Sequence, residues 1–175
     1  MIGRLPVAPK STLTVLSWNL GRLNESMFAE FVHHVEANTP WDILLLQEVG
    51  KFPAEVLMLL PGNHMLYIQK SAPNSWSTGV IVKAPWVIAI RKFGSLGRSA
   101  YVDLRIANRP IRCITSHLNP SYKSDIDKIK YEDQLSKLET LKRGKRWTHI
   151  VGVDANAVLG EQPNSFEAGF LPETY

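Results

Sequence analysis

Asp42-Ile43-Leu44-Leu45-Leu46-Gln47-Glu48-Val49 is the stretch that organises the chain. An unbroken apolar run of this length predicts a strand covered on both faces, as in the layered sheets of α/β proteins. It ends in Gln47 and Glu48, so a buried strand delivers a carboxylate to its C-terminal edge, where open α/β sheets place their sites. Upstream, residues 12–17 alternate and are β-rich, predicting a first strand that ends Leu16-Ser17-Trp18-Asn19. Between the two strands Asn24 is placed to cap a helix whose apolar face is Phe28, Phe31, Val32 and Val35. The opening unit is therefore strand, helix, strand. A third run, His149-Ile150-Val151-Gly152-Val153, ends in Asp154-Ala155-Asn156. Asn19, Glu48, Asp154 and Asn156 are oxygen-rich groups suited to Mg²⁺ and phosphate and poorly suited to zinc.

The middle of the chain reads as closely spaced strands over 65–69, 78–83, 86–92, 100–106 and 111–116, separated by Pro, Gly, Asn and Ser clusters. Such spacing predicts antiparallel pairing. Residues 54–60 read as a short helix closed by Pro61-Gly62, and Ala107-Asn108-Arg109-Pro110 as a hairpin loop. A long helix is predicted over 123–142, with Tyr131, Leu135, Leu138 and Leu141 on one face. Asp133 to Lys137 and Glu139 to Arg143 would give i,i+4 support. Residues 1–11 read as a leader, 12–175 as one domain, and the stretch from Leu159 onward as loop. These elements make a mixed α/β layer protein with helices outside a sheet core.

Composition narrows the class. The 175 residues suffice for one sizeable core, and 45% hydrophobic with 21% charged residues is ordinary for a globular protein. No apolar run approaches the roughly 18 residues of a membrane span. The N-terminus lacks the apolar core of a signal peptide. The lone cysteine, Cys113, sits in an apolar run and reads as a buried thiol; one cysteine makes no internal disulfide, which favours an intracellular setting. The net charge of +4 suits a polyanionic partner. Its densest stretch, Lys142-Arg143-Gly144-Lys145-Arg146, reads first as a helix C-terminus complementing the helix dipole and second, compatibly, as a phosphate-tracking patch.

Several of these segments, in this order, resemble motifs of the endonuclease/exonuclease/phosphatase superfamily of Mg²⁺-dependent phosphodiesterases. Leu16-Ser17-Trp18-Asn19-Leu20-Gly21 is similar to its first motif and Asp42-to-Val49 to its second. Thr78-Gly79-Val80-Ile81-Val82 is similar to a Gly-led core strand, Thr115-Ser116-His117-Leu118 to its Thr-His-Leu strand end, and Gly152-Val153-Asp154-Ala155-Asn156 to its Gly-Asp-Phe-Asn. The alanine at 155 departs from the usual aromatic, and no Ser-Asp-His motif follows before Tyr175. The resemblance implies a four-layer α/β/β/α sandwich whose C-terminal part is missing here.

It also implies roles. Glu48 would be the Mg²⁺ ligand, with Mn²⁺ as an alternative ion, and Asn19 would hold a metal-bound water or a phosphate oxygen. Asp154 would orient or deprotonate the attacking water or assist the leaving oxygen, Asn156 would stabilise charge on the phosphoryl oxygens, and His117 would bind phosphate or protonate the leaving group. Taken singly, each has a plainer reading: a surface Glu, an Asx-rich turn, a structural histidine. Asn74, Trp76 and Arg98 would lie on loops near the substrate, with Trp76 more simply a turn tryptophan over the sheet. His33 and His34 read as solvent histidines, and His64 has no evident partner. The expected activity is hydrolysis of phosphodiester bonds in nucleic acid, DNA before RNA. The run Asp154-Ala155-Asn156-Ala157-Val158-Leu159-Gly160 leans toward a retrotransposon-type endonuclease, which would work in the nucleus. The alternatives are a phosphodiesterase acting on RNA, protein–DNA adducts or phospholipid, and a truncated, inactive binding domain.

Overall fold

A computed structural model describes residues 12–21, 25–71, 75–119, 124–144 and 146–155. The leader at 1–11, the Asn24 cap, Asn74, Asn156 and the stretch from Leu159 lie outside the described residues. The elements in order are β1 (Val15–Asn19), α1 (Glu25–Asn38), β2 (Ile43–Gln47), β3 (Val56–Leu60), β4 (His64–Ile68), β5 (Gly79–Val82), α2 (Ala84–Val87), β6 (Ile90–Leu96), β7 (Ser99–Ile106), β8 (Arg109–His117), α3 (Asp125–Leu141) and β9 (Thr148–Asp154).

They form two sheets, ordered β1-β2-β5-β4-β3 and β6-β7-β8-β9. Among the described residues only β1–β2 and β8–β9 pair in parallel, and each of those pairs is joined through a helix, as a parallel crossover requires. Alternating side chains divide the core into layers. Ile43, Leu45, Val80 and Val82 face Val102, Leu104 and Cys113 between the sheets. Leu44, Leu46, Ile81 and Leu66 face Phe28, Phe31, Val32 and Val35 of α1 on the other side of the first sheet. Tyr101 and Ile114 meet Leu138 and Leu141 of α3 on the outer face of the second. The result is the α/β/β/α sandwich. All five residues of β2 are buried, as its unbroken apolar run requires. No helix among the described residues is long and apolar enough to cross a membrane.

The structure corrects four expectations. Residues 54–60 are not helical: β3 occupies Val56–Leu60 and pairs antiparallel with β4 from Val56↔Ile68 to Leu60↔His64. It is an edge strand with Leu57, Met58 and Leu59 all exposed, so neither face shows the alternation of a half-buried strand. Residues 86–92 are not one strand either. Pro85 sits in the first turn of α2, whose Trp86 is buried with its indole N–H donating to Asp42 at 2.7 Å, and β6 begins only at Ile90. On α3 only Leu138 and Leu141 are buried, while Leu135 stays exposed. Asp133 does pair with Lys137 at 2.5 Å, but Glu139 reaches Lys142 at 2.6 Å rather than Arg143. Finally, the hairpin turn is confined to Ala107 and Asn108, both at positive φ (46° and 63°), while Arg109 and Pro110 already belong to β8.

Candidate active site

Two contacts between the sheets determine where the functional side chains fall. Gln47, at the end of β2, is 2% exposed and donates to Ser17 Oγ at 3.0 Å and to Thr115 Oγ1 at 2.8 Å. The Thr115 hydroxyl donates in turn to the Leu46 carbonyl at 3.0 Å. Buried Gln47 and Thr115 satisfy one another across the sandwich and so fix β8 against β2. Gly152 supplies the second contact. A Cβ there would stand 2.4 Å from Ser17 Oγ and 2.7 Å from Ser17 Cβ, so β9 approaches β1 as closely as only glycine allows.

With the strands so fixed, their C-terminal ends meet at one edge. His117 and Asp154 are register partners across β8–β9, and Asn19 and Gln47 across β1–β2. Asn19 Nδ2 donates to Asp154 Oδ2 at 2.5 Å, while Asn19 Oδ1 accepts the Gly21 N–H at 2.9 Å. His117 Nε2 lies 3.4 Å from Glu48 Oε1 and 3.8 Å from Asp154 Oδ2. Glu48 itself sits at φ +52°, a left-handed conformation uncommon for a non-glycine residue and often found at functional positions. That turn carries the chain off the buried strand and leaves the carboxylate 3.4 Å from His117 Nε2.

Arg98 defines the chemistry of His117. It lies in the turn between β6 and β7 and is 9% exposed. One guanidinium nitrogen meets His117 Nδ1 at 2.7 Å, and another donates to Asn119 Oδ1. A guanidinium has donors and no acceptor, so His117 Nδ1 must accept. The ring proton of neutral His117 is then on Nε2, directed at the two carboxylates. Burial lowers the Arg98 pKa, while Glu48 and Asp154 push it back up. The cluster thus places one buried cation behind a histidine and two carboxylates in front of it.

The ligand atoms of Glu48, His117 and Asp154 all lie within 4.8 Å of one another. With Nδ1 occupied by Arg98 and the proton on Nε2, His117 acts as an N–H donor and not as a ligand. The metal-binding capacity therefore rests on carboxylate and amide oxygens. Hard oxygen donors of this kind suit a divalent cation.

Of the residues expected to act together, Asn19, Glu48, His117 and Asp154 converge, and Asn156 lies outside the described residues. Arg98 stands on the β6–β7 turn, a loop beside the site as expected, and its guanidinium is buried against His117. Trp76 is half-buried, with the Lys51 ammonium 5.1 Å from its ring centre. His33 and His34 are exposed. His64 proves structural: it is buried, accepts the Ala84 N–H at 3.1 Å, and lies 3.5 Å from the Glu36 carboxylate. Two contributors went unnoticed in the sequence. Asn119 receives Arg98, and Gln134 of α3 accepts the Asn119 N–H at 2.7 Å, linking the helix to the site. The position of Asn119 two residues beyond His117 was the only available cue.

No family model and no curated protein matches the chain. Solved structures do. A humanized D. rerio TDP2 carrying 14 mutations superposes with a TM-score of 0.57 at 16% identity, over 82% of this chain and 62% of that one. D. rerio TDP2 complexed with single-strand DNA product gives 0.55 at 16% identity, over 84% and 62%. A β-hairpin deletion mutant of β toxin from Staphylococcus aureus gives 0.53 at 12% identity, over 87% and 70%. The chain has the fold of the endonuclease/exonuclease/phosphatase superfamily. It spans 62% of the length of each of these D. rerio TDP2 chains.

Proposed function

We propose that this chain carries the catalytic edge of a Mg²⁺-dependent phosphodiester hydrolase that acts on nucleic acid, DNA before RNA. The observation that carries the reading is the convergence of Asn19, Glu48, Arg98, His117 and Asp154 from separate strand ends and one turn, with oxygen donors on one side and N–H donors on the other. The similarity to a TDP2 complexed with single-strand DNA product and the net charge of +4 favour a DNA substrate.

Glu48 would anchor the ion, with Asn19 assisting and Asp154 within reach; Mn²⁺ would serve in place of Mg²⁺. When bound, the ion supplies charge stabilisation at the phosphoryl and leaving oxygens. The rest of the work falls to the chain's own groups. His117 Nε2–H donates to a phosphoryl oxygen, with the Arg98 charge behind it. Asp154, held by the Asn19 amide, orients the attacking water and accepts its proton as the new P–O bond forms in line with the one that breaks. Asn156, two residues on, would donate to the charge that builds on phosphorus-bound oxygen. The Asp154-to-Gly160 run supports the narrower reading of a retrotransposon-type endonuclease working in the nucleus.

Nicking of supercoiled plasmid tests the proposal. The wild-type chain should nick in Mg²⁺ and stop in EDTA, and Glu48→Gln and His117→Ala should each abolish most of the rate. Cleavage that survives EDTA or both substitutions would overturn it.

A further inference from the structure

The active site uses one end of the β6-β7-β8-β9 sheet. The other end gathers arginines that the reaction does not use. Arg91 opens β6, Arg105 closes β7, Arg109 opens β8, and Arg143 and Arg146 follow α3. All five are exposed, and among the described residues no carboxylate lies within ion-pair distance of any of them. The nearby acids are already engaged: Asp103 is held by Arg112 at 2.6 Å and 2.8 Å, and Glu139 by Lys142 at 2.6 Å.

Arg112 also assembles the surface. It stacks 5.1 Å from the Trp147 ring centre and donates to the Leu141 carbonyl at 2.9 Å, bringing the α3 C-terminus and the loop after it onto the sheet end. Between Trp147, Pro110, Arg91 and Arg105 lies a hollow of about 220 Å³. His149 stands near the start of β9 at this end, its pKa pulled down first by burial and then by Arg112 and Lys142, against an upward pull from Asp103.

We infer that this arginine-lined end of the second sheet is a nucleic-acid-binding surface distinct from the active site, gripping the phosphate backbone of the chain's substrate some distance from the bond that is cut. The inference rests on the reading above that the substrate is nucleic acid. Guanidinium forks match phosphodiester oxygens. A lipid surface suits the patch less well, because Trp147 is half-buried and clamped by Arg112 rather than projecting. Arg109 and His117 are the two ends of the nine-residue β8, eight residue steps apart. At about 3.3 Å per step that is roughly 26 Å, or about eight base pairs of duplex.

The test uses the full chain with Glu48→Gln in EDTA, so that binding is read without turnover. Into that background go Arg91→Gln, Arg105→Gln, Arg109→Gln and Arg143→Gln together, with the four Arg→Lys changes as a charge-preserving companion. Binding to a fluorescent DNA duplex of about 30 base pairs is followed across salt concentrations. The glutamine variant should bind at least about tenfold more weakly, with a log–log salt slope shallower by about 3–4, because each lost phosphate contact removes about 0.9. The lysine variant should keep most of the slope. An unchanged slope in the glutamine variant overturns the inference. So does loss of binding to phosphatidylserine vesicles with DNA binding intact, which would make the surface a membrane contact. A wild-type chain that nicks DNA while the glutamine variant binds it unaltered removes this surface alone. Patch-dependent binding by a chain that never nicks removes the proposed activity and leaves the surface.

Discussion

Gly152→Ala tests the geometry most directly, because it adds one methyl where the two sheets come closest. The new carbon would stand 2.4 Å from Ser17 Oγ, 2.7 Å from Ser17 Cβ and 3.2 Å from Leu45 Cδ1. Ordinary carbon contacts fall at about 3.5–4.0 Å, so β9 and β1 must part by about 1 Å. Overpacking of this kind costs about 1–3 kcal/mol. For a chain of this size each kcal/mol is worth about 2–4 °C, so the melting temperature should fall by roughly 3–10 °C. The site should suffer more than the fold. The Asn19–Asp154 bond at 2.5 Å spans the same gap, and widening it by about 1 Å takes it past hydrogen-bonding range. A displacement of about 1 Å at reacting groups can cost about a hundredfold in rate. Ser17→Gly removes the atoms that the methyl meets, at the expense of one acceptor for Gln47. The double variant should therefore recover stability and nicking relative to Gly152→Ala alone, a coupling that a double-mutant cycle isolates. Thermal unfolding and the plasmid assay read both effects. A Gly152→Ala chain that melts with the parent, or a double variant that recovers nothing, would refute the claim that close approach of β9 and β1 builds the site.

Other perturbations probe the surrounding groups. Arg98→Met removes the donor to His117 Nδ1, so imidazole ¹⁵N spectra should show the ring proton moving off Nε2, and nicking should fall about a hundredfold with partial recovery in Arg98→Lys; an unchanged spectrum would count against the assigned tautomer. Burial, with Asp103 adding to it, pushes the Cys113 thiol up to about 12, so iodoacetamide should label it only after unfolding, and rapid labelling of the folded chain would contradict this. Burial lowers the His64 pKa below its usual 6.5, outweighing the attraction of Glu36 and acting with the repulsion of Lys83. Stability should thus be fully present above about pH 6.5 and decline as pH falls below it. His64→Gln should flatten that decline in melting temperature, and a wild-type chain whose stability ignores this range would refute the assignment.

What could be read from the sequence follows the strength of each local signal. β2 was legible because burial on both faces leaves an unbroken apolar run, and α1 because Phe28, Phe31, Val32 and Val35 keep helical spacing. β3 was not legible, since an edge strand exposing Leu57, Met58 and Leu59 has the composition of a short helix and takes its conformation from pairing with β4. In the site, strand ends were visible because each interrupts apolar sequence with a polar residue. Arg98 was only weakly visible, because an arginine after a glycine in a turn carries no mark of being buried. Its role comes from His117, nineteen positions away and reached only through the β7–β8 pairing.

The site is best understood as a consequence of register. The parallel β1–β2 pairing puts Asn19 beside Gln47, and the parallel β8–β9 pairing puts His117 beside Asp154. Neither pair alone makes a reactive centre. The Gln47–Thr115 hydrogen bond and the glycine at 152 bring the two registers face to face, so that Asn19 of one sheet holds Asp154 of the other. A slip of one residue in β9 would turn Asp154 to the opposite face and present Val153 to Asn19. It would also replace Gly152 with Val151 or Val153 against Ser17, where no side chain fits. The glycine that lets the sheets close is thus the residue that rejects the wrong register. Because a small residue at 152 serves both purposes, packing and chemistry at this edge depend on each other.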